Sequence, residues 1–171
     1  MKNISKTQYL VYAALLIALS YLGSMIKIAG SVALDALPAY FGALMLGGPI
    51  GAAIGGIAHL FSALLSGFPL GLPMHLLIAL CMAGACFAYA WFYKKTNLIV
   101  ASIVAIFING IVMTFLSGIL AVILGISPSI MGFVIPMLLP LVIASTVNVV
   151  VAALLYVSVN KALSHRKESR S

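Results

Sequence analysis

Residues 31–56 read SVALDALPAYFGALMLGGPIGAAIGG, and this stretch decides how the rest of the chain is interpreted. Asp35 and a Leu-Pro pair precede a short apolar segment, which stops at Gly47-Gly48-Pro49 before a helix rich in small residues begins. Gly47, Gly51 and Gly55 recur every four residues, a spacing that predicts close packing of this helix against a neighbour. Asp35 is one of only two acidic residues in the protein. A carboxylate near hydrocarbon is costly without a partner, water or a function. The pattern therefore predicts a short helix whose end borders a polar cavity, in a membrane protein that handles a small solute.

The composition is that of an integral membrane protein. Of the 171 residues, 64% are hydrophobic and 6% are charged, which leaves too little polar surface for a soluble domain. A membrane-spanning helix needs about 20 apolar residues, so the length accommodates about five or six spans. We predict an all-α integral membrane protein, a six-transmembrane-helix bundle that forms a single membrane-embedded domain over residues 1–171. The predicted spans cover residues 8–27, 36–46, 50–66, 74–92, 98–124 and 133–160, and residues 28–34 are predicted to form an outer loop after the first span.

The basic residues predict the orientation of the bundle. The net charge is +7, and apart from Lys27 the cations lie near the N-terminus, in a mid-chain gap and in the C-terminal tail. They are Lys2, Lys6, Lys94, Lys95, Lys161, Arg166, Lys167 and Arg170. By the positive-inside rule these places are cytoplasmic, so both termini are predicted to be cytoplasmic. The lipid bilayer is the expected environment of the chain, and no nucleic-acid partner is expected.

The polar residues of the predicted spans are distributed asymmetrically. With the termini inside, they lie at the outer ends or near the middle, whereas the inner half is almost wholly small and apolar. Intramembrane ionisable groups are functional candidates by default, so we predict a pocket that opens outward and is closed below. A channel would need a polar lining to both ends. The candidate substrate-binding residues are Lys27, Asp35, Tyr40, His59, Ser62, His75, Asn109 and Asn148.

Most of these candidates also have a purely structural interpretation. Lys27 and Asp35 can form a simple interfacial ion pair. His59 can be a hydrogen-bonded packing residue, and the two asparagines can join neighbouring helices. Both interpretations stay open at the level of the sequence.

Catalytic chemistry has no recognisable motif in this chain. The metalloprotease, serine hydrolase and phosphate-loop patterns are all missing from the sequence. A serine–histidine intramembrane protease built from His59, Ser66 and His75 would lack a glycine-framed nucleophile. Two histidines without a carboxylate cluster make a weak metal site. We therefore predict that the chain is not an enzyme and has no metal and no cofactor of its own.

Several short motifs carry a family resemblance. They are the small-residue face from Ala14 to Ala18, Leu34-Asp35-Ala36-Leu37-Pro38 leading into Phe41-Gly42-Ala43-Leu44, Gly47-Gly48-Pro49-Ile50-Gly51-Ala52-Ala53, and Ala58-His59-Leu60. With these motifs and its six-span layout, the chain resembles the substrate-binding S components of energy-coupling factor (ECF) vitamin transporters over essentially its whole length.

The resemblance implies a substrate-binding domain with an outward pocket for a vitamin or vitamin precursor, in the plasma membrane of a prokaryote. The implied partners are a transmembrane coupling subunit and two cytoplasmic ATPases, so ATP hydrolysis would occur outside this chain. The bundle would topple in the membrane to release its ligand inside. The small residues Ala14 and Ala18 match the surface that docks the coupling subunit.

The ligand and two other functions stay open. The resemblance slightly favours α-ribazole, followed by pantothenate or a pyrimidine precursor. The chain could alternatively be a stand-alone secondary carrier, although both acids lie outside the middle of the membrane. It could also be a non-transporting structural bundle, which would bind no small molecule.

Overall fold

The computed structural model describes the backbone of residues 5–29, 32–33 and 35–168, and the side chains of residues 5–26 and 35–164. Helix α1 covers Lys6–Ser24, and two short strands follow, β1 at Lys27–Ala29 and β2 at Val32–Ala33. The remaining elements are α2 (Leu37–Leu46), α3 (Gly48–Leu65), α4 (Leu72–Lys95), α5 (Leu98–Ile106), a π-helical turn (Phe107–Val112), α6 (Met113–Ile123) and α7 (Ile130–Glu168).

The prediction of a helical membrane bundle is confirmed. Within the described part of the chain, five helical segments are long and apolar enough to cross a membrane. They are Lys6–Ser24, Gly48–Leu65, Leu72–Lys95, Leu98–Ile123 and Ile130–Ser164. Helix α2 is the sixth apolar helix, and its 10 residues extend only about 15 Å, about half the thickness of the hydrocarbon core. The side of the membrane on which the termini lie and the single-domain organisation stay predictions.

The segment between the first two helices differs from the prediction. Residues 28–34 were expected to form a loop, whereas β1 and β2 pair as a small antiparallel hairpin with Lys27 opposite Ala33 and Ala29 opposite Val32. The β-branched Ile28 and Val32 favour extended backbone. Pairing also satisfies backbone groups that a loop would have to expose. In the sequence, the two strands lie between α1 and Asp35, which stands two residues before α2.

Glycine residues of α3 set how closely this helix approaches α2 and α4. Gly47 ends α2 with φ +99°, a conformation that favours glycine, and Pro49 then occupies the first turn of α3. A Cβ atom on Gly51 would overlap the backbone and side chain of Ala43, and one on Gly55 would lie 2.9 Å from the sulfur of Cys86. The close packing predicted from the glycine spacing is therefore confirmed at Gly51 and Gly55.

The apolar core lies where residues of α2, α4, α5 and α7 meet. Tyr40 and Tyr89 are fully buried there and meet edge to face, with ring centroids 5.6 Å apart. Small residues such as Ala101 and Ala152 are also fully buried and let the helices approach closely. Helix α1 is less buried than the other described membrane-spanning helices, since only Ser20 and Ser24 of its 19 residues are buried.

Candidate functional site

A cavity of about 110 Å³ lies inside the bundle, surrounded by the start of α2 and by α3, α4, the π-helical turn, α6 and α7. Its polar lining consists of Asp35, His59, His75, Asn109, Ser117, Ser145 and Asn148. Its apolar lining consists of Ala36, Leu70, Ile78, Met82, Met113, Phe133, Met137, Leu141 and Ala144. An apolar wall with a few convergent polar groups is the usual composition of a small-molecule site.

Three ionisable side chains form a row along one side of this cavity. Oδ2 of Asp35 lies 3.8 Å from Nδ1 of His59, and Nε2 of His59 lies 3.2 Å from Nδ1 of His75. The centroids of the two imidazole rings are 5.4 Å apart, and their planes are inclined by 29°. The row therefore connects the carboxylate at the start of α2 with a histidine in the first turn of α4.

The loop between α3 and α4 fixes the position of the second histidine. Pro73 lies in the first turn of α4, and Gly71 before it has φ +78°. Phe68 has φ +49°, which is unusual for a bulky residue, and its ring packs against His75 with centroids 5.6 Å apart. The backbone N–H of Phe68 donates to the carbonyl of Ala63 at 2.8 Å. The loop thus covers the imidazole of His75, which is only 5% exposed.

Another part of the cavity lining comes from a segment in which an α-helix changes to a π-helical turn. Asn109 lies in the π-helical turn, and its Nδ2 donates to Oγ of Ser145 in α7 at 2.7 Å. Gly110 permits this approach, since a Cβ atom there would lie 3.0 Å from the side chain of Val142. π-Helical turns within α-helices are frequent at functional sites. Asn148, one turn after Ser145, donates from Nδ2 to the carbonyl of Ala144 at 2.9 Å.

Two polar atoms of the cavity lining are buried without a protein partner. Nε2 of His75 and Oδ1 of Asn109 have no hydrogen-bond partner among the described residues. A buried polar group that stays unpaired costs about 1–3 kcal/mol. Both atoms belong to side chains that line the same cavity. The arrangement is suited to hydrogen bonding with a small polar ligand.

Comparison with known proteins decides the family. Residues 8–162 match the family model described as "ECF transporter, substrate-specific component". The chain belongs to this family. No curated protein matches the sequence. The S component therefore forms the substrate-binding membrane subunit of an ECF importer, and the predicted family is confirmed.

A solved structure supports the same architecture for this S component. The S component of a bacterial ECF transporter is similar to the chain with a TM-score of 0.61, and the similarity covers 94% of this chain and 98% of the other. The sequence identity is 17%, so this likeness concerns the fold alone. No catalytic family is indicated by either comparison, and S components are binding subunits rather than enzymes.

The structure brings together five of the eight predicted substrate-binding residues of the S component. Asp35, His59, His75, Asn109 and Asn148 all line the cavity. Contact of any of them with a ligand stays a prediction.

The other three candidates are not among the described lining residues of the cavity. Tyr40 is fully buried in the apolar core beside Tyr89. Ser62 is buried in α3 and is not part of the cavity lining. The side chain of Lys27 lies outside the described residues, so its proposed ion pair with Asp35 stays a prediction. Ser66, the nucleophile of the protease alternative, is exposed at the end of α3 and does not line the cavity.

Sequence reasoning missed two serines of the cavity. Ser145 lies three residues before Asn148, so helical spacing was a usable signal for it. Ser117 lies eight residues after Asn109, which in a regular α-helix would leave the two about 80° apart around the axis. The π-helical turn takes up about one extra residue and brings both onto one face. The sequence contains no pattern that predicts this π-helical turn.

A second groove, between α3 and α4, is less suited to a polar ligand. Its lining is wholly apolar and consists of Ala52, Ala53, Gly56, Ile57, Leu60, Leu76, Ala79, Leu80 and Ala83. Such a surface offers shape and apolar contact but no side-chain hydrogen bonds. In the described part of the S component, no group of three or more His, Cys, Asp or Glu residues has the arrangement of a metal site.

Proposed function

We propose that this S component binds a vitamin or vitamin precursor in the cavity between Asp35, His59, His75 and Asn109. It then delivers this ligand to a coupling subunit and two ATPases in the plasma membrane of a prokaryote. The observation that carries the proposal is the pair of unpaired buried atoms in one cavity, Nε2 of His75 and Oδ1 of Asn109. Most buried polar atoms in proteins are paired, so two unpaired atoms in the lining of the same cavity favour a bound ligand there.

The lining narrows the class of ligand. The described side chains around the cavity include one carboxylate, Asp35, and no Lys or Arg. A ligand carboxylate, as in pantothenate, would be repelled by Asp35 and would have no described cation to pair with. The methionine and phenylalanine side chains of the lining are suited to the faces of an aromatic ring. A neutral or weakly basic heteroaromatic compound fits this lining best.

The size of the cavity favours the smaller candidate. Ligand pockets usually measure about 300–1,000 Å³, whereas this cavity has about 110 Å³. A single-ring pyrimidine precursor requires less rearrangement of the lining than a two-ring nucleoside such as α-ribazole. We therefore rank the pyrimidine precursor first, ahead of α-ribazole and pantothenate.

The position of the cavity agrees with uptake from outside. His75 lies in the first turn of α4, and Lys94 and Lys95 lie in its last turn, about 28 Å away along the helix. The positive-inside rule assigns the lysine end to the cytoplasm, so the cavity would open on the other side. The same orientation leaves both termini cytoplasmic.

A secondary carrier is the weaker alternative. A proton-coupled carrier would need ionisable groups that continue across the membrane. In the described part of the chain, Asp35, His59 and His75 are gathered around one cavity at one end of α4. Uptake into proteoliposomes containing the S component alone, driven by a proton gradient, would support the carrier. Uptake that requires the coupling subunit, the ATPases and ATP supports the importer.

Asn109 offers a direct test of the cavity. The probe for the pyrimidine precursor is hydroxymethylpyrimidine. We expect Asn109→Leu to weaken its binding about fivefold to a hundredfold, because the substitution removes a hydrogen-bonding group worth about 1–3 kcal/mol. Isothermal titration of the purified protein in nanodiscs measures this change. The matched control is Thr146→Val in α7, since Thr146 is exposed and donates only to Val142 in its own helix. Equal binding by wild type and Asn109→Leu would contradict the assignment of the cavity.

A further inference from the structure

We propose that Asp35 acts through His59 to hold Nε2 of His75 as a hydrogen-bond acceptor, so that the cavity selects ligands carrying an N–H or O–H donor. The proposal rests on the proposed function, because it concerns the selectivity of the same cavity. It assigns Asp35 and His59 as positioning residues and His75 as the residue that determines which ligand atoms are accepted.

The first step concerns the proton on His59. The distance of 3.8 Å between Oδ2 of Asp35 and Nδ1 of His59 is too long for a hydrogen bond, but a charge at this distance still polarises the ring. A carboxylate attracts an N–H group and repels a nitrogen lone pair. The neutral imidazole of His59 therefore carries its proton on Nδ1, and its Nε2 has a free lone pair.

The second step transfers this preference to His75. Nε2 of His59 and Nδ1 of His75 are 3.2 Å apart, and in a hydrogen bond between two neutral rings one nitrogen must donate. Because Nε2 of His59 has no proton, the donor is Nδ1–H of His75. A neutral imidazole carries one ring proton, so Nε2 of His75 has a lone pair and can only accept.

The third step is the consequence for the ligand. Nε2 of His75 is buried and has no partner among the described residues. Oδ1 of Asn109 is also buried and has no partner among the described residues, while Nδ2 of the same amide donates to Ser145. Both unpaired atoms of the cavity are then acceptors. A ligand with an amino, amide or hydroxyl group satisfies them, whereas an analogue whose donors are replaced by methyl groups leaves them unpaired.

The tautomers can be measured without any ligand. The S component with ¹⁵N-labelled histidine is placed in nanodiscs at about pH 8.5, where an ordinary imidazole is neutral. Spectra that correlate each ring nitrogen with the carbon-bound ring protons distinguish protonated from unprotonated nitrogens. The third histidine of the chain, His165, is identified by the loss of its signals in the His165→Gln variant. We expect His59 and His75 both to carry the proton on Nδ1. A proton on Nε2 of His75 would overturn the inference and leave the proposed function untouched.

Variants of Asp35 test the origin of the preference. Asp35→Ala removes the charge, and we expect both tautomers of His59 and His75 to be populated. Asp35→Glu keeps a carboxylate and should restore the single tautomer. An unchanged single tautomer in Asp35→Ala would contradict the role of Asp35.

Binding measurements connect the tautomer to selectivity. Wild type should bind hydroxymethylpyrimidine, which has an amino group, at least about tenfold more tightly than its dimethylamino analogue. Asp35→Ala should reduce this ratio and Asp35→Glu should retain it. Equal affinity of wild type for the two compounds would overturn the inference. If wild type binds neither compound, the ranking of ligands in the proposed function fails, and the tautomer measurement still decides the inference.

Discussion

Replacing Ala14 and Ala18 of α1 by tryptophan is expected to abolish ATP-driven uptake by the assembled importer while ligand binding by the S component is retained. Both alanines are exposed and lie one turn apart on the membrane-spanning helix with the smallest buried share among those described. Helices in membranes associate largely through close packing, for which small residues are required. Two indole rings at this point would hold a partner helix away from α1, whereas the described lining of the cavity includes no residue of α1.

The uptake experiment has a matched control on the same helix. Leu19 is 52% exposed and projects about 100° around the axis from Ala18, so Leu19→Trp adds an indole beside the proposed docking face rather than on it. Uptake of labelled ligand into proteoliposomes that contain the coupling subunit and ATPases should be lost in the double variant and kept in Leu19→Trp. Equal loss of uptake and binding in the double variant would contradict the assignment of Ala14 and Ala18 as a docking face.

Replacing Gly51 by alanine is expected to lower the free energy of unfolding by about 3 kcal/mol, the upper part of the range for overpacked interiors. The added methyl group would overlap the backbone of Ala43, and backbone cannot rotate away as a side chain can. Relief requires α2 and α3 to separate. Because Asp35 precedes α2 and His59 lies in α3, such a separation would also disturb the cavity.

Thermal unfolding in detergent measures this effect, and Gly84→Ala is the control. Gly84 lies in α4, and no heavy atom lies within 4 Å of the position that a Cβ atom would occupy there, so alanine fits. Alanine in a helix is favoured over glycine by about 0.5–1 kcal/mol, so this control should unfold at an equal or higher temperature. Equal stability of Gly51→Ala and Gly84→Ala would show that α2 and α3 are not in close contact.

Much of the fold follows from hydropathy and small-residue spacing. The runs of apolar residues specify the spans, and the interval between Asp35 and Gly47 is too short for a full crossing, as α2 confirms. The glycine spacing predicted the close approach of α3, which is observed at Gly51 and Gly55. The β-hairpin was missed because its strands have only three and two residues, too few for a periodic pattern.

The site is only partly predictable for a physical reason. Depth along each span identified Asp35, His59 and His75, since an ionisable group in a membrane is informative wherever it lies. The depth of a residue in the membrane does not tell on which side of its helix the side chain lies. Tyr40 and Ser62 were therefore included although neither lines the cavity, and Ser117 was missed because the π-helical turn changes the register of its helix.

Native mass spectrometry of the purified S component tests the central claim most directly, because it detects a small molecule that remains bound to the cavity. The expected result is a single bound compound at one molecule per chain in wild type, displaced by added hydroxymethylpyrimidine and lost in Asn109→Leu. A wild-type protein that carries no small molecule and binds none of hydroxymethylpyrimidine, α-ribazole and pantothenate would contradict the account.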